Sequence, residues 1–115
     1  MKEGQWTRKV CASLKKCNAV IFACVAQAMQ EPGWPDRWIC HRRWRGWLEF
    51  KGVNTRLSAI QRKKIDDLNA RQPGSAYVVR QPGIVEDTKG NELARFTTAV
   101  ELLKILEELT NEASS

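Results

Sequence analysis

The sequence predicts an α/β fold in which helices flank a central β-sheet, on two observations. Apolar residues recur at helical spacing near both ends of the chain and once in its middle, and the stretches between them hold short apolar runs bounded by glycine and proline. Trp6, Val10 and Leu14 recur at four-residue intervals, which places a first helix over about residues 3–16, with Lys9, Lys15 and Lys16 on its other faces. Ala19 to Ala26 is an unbroken apolar run and is expected to be a buried central strand. It follows Lys15-Lys16 and leads into Ala26-Gln27-Ala28, in the manner of a signal peptide and its cleavage site. The long helical pattern before it argues against a leader, and the run is too short to span a bilayer.

Glu31-Pro32-Gly33 marks a loop, after which Arg37–His41 and Trp47–Lys51 read as two strands of a hairpin. Leu57-Ser58 opens a second helix, with Ser58 as N-cap and Gln61 at the N3 position of a capping box, and Arg71-Gln72-Pro73-Gly74 ends it. Ala76-Tyr77-Val78-Val79 is a short buried strand, Pro82-Gly83 a turn, and the residues through Lys89-Gly90 a polar stretch. A last helix starts near Thr98, where Thr98 and Glu101 suggest another capping box. Between Val100 and Leu109 this helix offers more apolar surface than one core-facing stripe needs. Leu102, Leu106 and Leu109 are expected to pack on the sheet, leaving Val100 and Leu103 for a partner with Glu107 and Glu108 at the rim.

At 115 residues the chain, 1–115, is expected to form a single domain with one core. Its net charge of +6 favours a polyanion such as nucleic acid as partner. That charge is uneven: residues 1–60 hold 11 Lys/Arg against 4 Asp/Glu, whereas residues 61–115 hold 8 against 9. Cysteines at 11, 17, 24 and 40 match neither zinc-ligand spacing nor a disulfide framework, which points to reduced thiols in a cytoplasmic protein and excludes a cysteine-based metal regulator.

Glu49 and Lys51 alternate with Phe50 along a strand, so the acid and the base share one face while Phe50 turns into the core. A hairpin around residues 41–46 brings Asp36 to the same end. Two carboxylates and a lysine then converge, and such a point suits a hard divalent cation that also meets substrate phosphate.

Gly33-Trp34-Pro35-Asp36, then Trp47-Leu48-Glu49-Phe50-Lys51-Gly52, then Leu57-Ser58-Ala59-Ile60-Gln61 resembles the VRR-NUC family of PD-(D/E)xK nucleases over roughly Glu3 to Arg80. The resemblance implies a restriction-endonuclease-like core, a mixed central β-sheet flanked by helices. It also implies a magnesium- or manganese-dependent phosphodiesterase that works as a small phage-type homodimer on branched DNA such as Holliday junctions. By the same resemblance, Asp36, Glu49 and the Phe50 carbonyl hold the metal with help from Glu3, Lys51 orients water and stabilises charge, and Gln61 positions the water or Lys51.

Other readings of these residues stay open. Gln61 also fits as a capping-box glutamine, and Glu3 as a first-turn acid. Arg42, Arg43, Trp44 and Arg45 interleave cations with a ring that can stack on a base, which makes them, with Lys9, candidate DNA-binding residues; the alternative is a solvated tip whose tryptophans fold onto the core. His41 reads as a surface histidine and Trp34 is ambiguous. The competing functions are a nuclease selective for flaps or forks and a non-catalytic nucleic-acid-binding module on the same fold.

Overall fold

The computed structural model describes residues 1–24 and 31–114. Helix α1 spans Glu3–Lys16, as its four-residue periodicity predicts, and buries Trp6, Thr7, Val10, Cys11 and Leu14. Strands β1 (Val20–Ala23), β2 (Arg37–Cys40) and β3 (Arg45–Lys51) follow, then helix α2 (Ala59–Arg71) and strands β4 (Ala76–Arg80), β5 (Ile84–Glu86) and β6 (Glu92–Arg95). Helix α3 (Ala99–Ala113) completes the described chain. The six strands lie side by side in chain order, and neighbours are antiparallel except for β3 and β4. A parallel pair needs a crossover, and α2 supplies it.

The two faces of the sheet have different covers. Leu48 and Phe50 of β3 and Tyr77 and Val79 of β4 join the residues of α1 and α3 in the larger core. The alternate residues, Trp47 on β3 with Ala76 and Val78 on β4, meet Ile65 and Leu68 of α2. Strand alternation therefore assigns Glu49 and Lys51 to the α2 side.

The structure corrects three expectations. The run from Ala19 forms not a central strand but the edge strand β1, with Val20 72 % and Phe22 61 % exposed. An apolar run records that a strand forms, not how many neighbours it has. Val25 and Ala26 of that run, and the Ala26-Gln27-Ala28 motif, lie outside the described residues. The polar stretch after Pro82-Gly83 holds the β5–β6 hairpin, whose strands of three and four residues are too short to show a period. Its turn is closed by the Asp87 carboxylate, which accepts the backbone N–H groups of Lys89 and Asn91, each at 2.9 Å. Finally, Leu103 is 2 % exposed and packs in the core, so the apolar surplus of α3 is spent within the subunit and Val100 alone of the two stays exposed, at 61 %.

Both predicted helix starts form. Ser58 Oγ accepts Gln61 N–H at 3.1 Å while Gln61 Oε1 accepts Ser58 N–H at 3.0 Å, a complete capping box. At α3, Thr98 Oγ1 accepts Glu101 N–H, and the Glu101 carboxylate accepts the Thr97 and Thr98 hydroxyls. Among the described residues no helix is long and apolar enough to cross a membrane, and the four cysteines are free.

Candidate active site

The β2–β3 register sets Arg37 opposite Leu48, so Asp36, one residue earlier, falls beside Glu49. The backbone locks that meeting in both directions. Asp36 N–H donates to Glu49 Oε1 at 3.1 Å, and Phe50 N–H donates to Asp36 Oδ2 at 2.8 Å. Gly33 makes the approach possible: its φ is +93°, and a Cβ there would collide with Ile60 in the first turn of α2. Pro35 then buries its ring, which stiffens the loop into β2.

Lys51 Nζ lies 3.5 Å from Glu49 Oε2, and both side chains are nearly enclosed, at 9 % and 3 % exposure. Gln61 Nε2 donates to the same Glu49 oxygen at 3.3 Å. The two expectations for Gln61 are thus compatible, because the oxygen of its amide caps α2 while the nitrogen reaches Glu49. Glu3 comes from α1 to the same end of the sheet. Its Oε1 accepts Gly52 N–H at 2.7 Å and the Thr55 hydroxyl at 2.9 Å, and a Cβ on Gly52 would press on that oxygen.

Burial dominates the electrostatics. Desolvation, then the neighbouring Asp36, push the Glu49 carboxyl up to about 7, against the opposing pull of Lys51. Asp36 is also raised, by desolvation first, with Glu3 adding to it and the Phe50 N–H, Arg37 and Lys51 opposing. Lys51 sets an enclosed ammonium beside enclosed Glu49, and half-buried Asp36 adds a second carboxylate next to them. The donor chemistry fits a hard dication: the two adjacent carboxylates are oxygen ligands, and the repulsion that helps raise both is what a cation offsets. Among the described residues no three His, Cys, Asp or Glu side chains cluster as a metal site.

The expected DNA-binding residues lie elsewhere. Arg42, Arg43 and Arg45 are exposed at the tip of the β2–β3 hairpin, and Arg43 pairs with Glu107 of α3 at 3.6 Å. Trp44 does not present its ring to a base: it is 4 % exposed, and its Nε1–H donates to Thr110 Oγ1 at 2.9 Å. His41 ties the tip to the end of α1 through Cys17 O at 2.8 Å. Lys9 is exposed on α1 beside a groove of about 450 Å³ shared with Lys16, Phe96 and Val100. The sequence pattern alone does not single out the cations at the carboxylate end. Arg80 is the register partner of Lys51, and its guanidinium donates to Gly52 O at 2.7 Å, to Thr55 O at 2.6 Å and to Glu86 at 2.9 Å. Its one local signal is an arginine closing an apolar strand.

No family model matches the sequence, and no curated protein is detectably similar to it. The structure is similar to that of Hjc from Archaeoglobus fulgidus, a Holliday junction resolvase from an archaeal hyperthermophile, with a TM-score of 0.57 over 75 % of this chain and 77 % of that one. The two sequences are 17 % identical, so the likeness is one of fold. The mixed six-stranded sheet with three flanking helices is the restriction-endonuclease-like fold.

Proposed function

We propose that this chain is a metal-dependent, structure-selective endonuclease of the VRR-NUC type that hydrolyses phosphodiester bonds in branched DNA such as Holliday junctions. The observation that carries the reading is the adjacent pair Asp36 and Glu49, in which Glu49 Oε1 accepts the Asp36 N–H and Asp36 Oδ2 accepts the Phe50 N–H, with Lys51 Nζ 3.5 Å from Glu49. Its support is the fold shared with a junction resolvase.

In this reading Asp36, Glu49 and the Phe50 carbonyl hold magnesium or manganese. The bound cation supplies Lewis-acid polarisation of the scissile phosphate and a water of lowered pKa. Lys51, enclosed beside Glu49, stabilises negative charge developing on the phosphate and orients the attacking water. Gln61 keeps Glu49 in register from the rigid first turn of α2 and positions Lys51 through the oxygen they share. Glu3 holds the loop after β3 in place and adds negative charge near Asp36. A module that only binds phosphate gains nothing from this carboxylate pair, since each member repels its ligand unless a cation intervenes.

The active form is a homodimer, because cutting a symmetric junction calls for two sites related by a two-fold axis. The edge strand β1, with Val20 and Phe22 exposed, supplies the apolar surface for the partner copy. The test is a cleavage assay on duplex, flap, fork and four-way junction DNA, with and without magnesium or manganese, alongside light scattering of the free protein. Metal-dependent cutting preferring the junction, by a particle of twice 13.1 kDa, is the expected result. No cleavage of any substrate overturns it.

A further inference from the structure

Beside the carboxylate cluster, between the start of α2 and the β5–β6 turn, lies a cavity of about 210 Å³ lined by Arg56, Arg62, Arg80 and Lys89 together with Glu86 and Asp87. We propose that this cavity is a second phosphate site, which grips a backbone phosphate of the strand being cut next to the scissile one. The proposal rests on the nuclease reading, which it deepens by naming what holds the substrate at the cutting end.

The charge balance is more one-sided than the residue types suggest. Glu86 is occupied by Arg80 at 2.9 Å, and Asp87 is turned into its own hairpin, where Asn91 and the Lys89 backbone take its oxygens. Arg80 forms a fixed floor, its side chain 17 % exposed and clamped to Glu86, Gly52 and Thr55. Arg62 uses its Nε–H on Thr88 O at 3.1 Å, which anchors the guanidinium and leaves its two terminal nitrogens for an oxyanion. Arg56 and Lys89 are exposed on the walls.

Position supplies the second argument. Arg80 pairs with Lys51 across adjacent strands, which stand about 4.8 Å apart, and Arg62 follows Gln61 on α2. A phosphate in the cavity and a phosphate at Lys51 therefore sit on neighbouring strands at the carboxyl end of the parallel β3–β4 pair, where ligands of open α/β sheets bind. An arginine held by three acceptors is costly to build for solubility alone, and both carboxylates lining the cavity are already engaged, which leaves the other three cations for a ligand.

The experiment measures DNA binding on Glu49→Gln protein, which cannot cut in this reading, with and without Arg56→Ala and Arg62→Ala together. A four-way junction is titrated across a range of salt. The added pair should flatten the log–log salt slope by up to about 0.9 for each phosphate no longer neutralised and weaken binding at least tenfold at low salt. Lys89→Ala, at an exposed position on the turn, should flatten it by up to about 0.9 without any risk to folding. Unchanged slopes in both variants overturn the site. Absence of cleavage by the unmodified protein overturns the nuclease reading instead, so the two failures are told apart.

Discussion

At the amino end of β3, Arg42, Arg43 and Arg45 stand in solvent around a tip whose tryptophan is buried, and an ion pair there joins Arg43 to Glu107 at half-exposed positions. At its carboxyl end, Lys51 is enclosed against Glu49, and Arg80 is clamped by three acceptors. The seven residues of β3 join these regimes, whose ends stand six steps of about 3.3 Å, or about 20 Å, apart. The two ends hold the same residue types and differ in how firmly each cation is held. A solvated cation attracts a polyanion at long range and is screened by salt, whereas an enclosed one acts on the atoms it touches. In the proposed reading, the tip gathers DNA and the far end does the chemistry on it.

The largest effect expected lies at the enclosed end. Asp36→Asn and Glu49→Gln should each abolish metal-dependent cleavage while DNA binding holds or tightens, because a repulsive charge near phosphate is gone. Lys51→Met should cost roughly 10²–10³ in the cleavage rate at saturating DNA, the usual loss for one electrostatic stabiliser. Wild-type cutting by the Asp36 or Glu49 variant would erase the distinction between the ends.

Stability gives a readout independent of catalysis. The Glu49 carboxyl is raised from 4.5 to about 7, so between these values the folded state keeps a proton that the unfolded chain releases, and stability falls as pH rises. With chelator present, denaturant titrations of wild type and Glu49→Gln should therefore diverge between pH 4.5 and 7 by about 3 kcal/mol, in favour of the variant at the higher pH. A pH-independent difference would mean that Glu49 is not enclosed as described.

The contrast sharpens further with arginine variants. Arg56→Ala with Arg62→Ala should lower the saturating cleavage rate roughly 10- to 100-fold, since a grip on the flanking phosphate aligns the scissile one. Replacing Arg42, Arg43 and Arg45 together should flatten the salt slope of binding by up to about 0.9 per arginine that neutralises a phosphate and leave that rate alone. A fall in saturating rate from the tip variant would break the comparison. The smallest change is Gln61→Ala, expected to cost about 1 kcal/mol through the lost capping box, with a lowered rate from the loosened Glu49; a stability loss with the rate intact would leave Gln61 as a cap only.

Much of this site is legible in the sequence because its determinants are local. The alternation of Glu49, Phe50 and Lys51, the hairpin that returns Asp36, and the Ser58–Gln61 box each depend on a few neighbouring residues, and each appears in the structure as expected. Strand order is a long-range property, so the run from Ala19 carries no sign that it will end at an edge. Short strands escape for another reason: Ile84–Glu86 has three residues, fewer than two repeats of the strand period. At Trp44 the interleaved arginines mask a core residue whose indole N–H has a partner 66 positions away. The members of the Arg80 cluster come from the loop before α2, from α2, from β4 and from β5 and the turn after it, and only the fold brings them together.

Trp47 sits two positions before Glu49 on the same face of β3, and its ring lies 5.2 Å from that of Trp34 and 5.1 Å from that of Trp38. Lys64 of α2 stands over Trp34 at 4.7 Å. Three of the five indoles are thus gathered on the surface that the carboxylates share, while Trp6 and Trp44 are buried on the opposite side of the sheet. The molecule carries a built-in optical probe: red-edge emission from the partly exposed cluster will track whatever arrives at Glu49, against a constant background from the two buried rings.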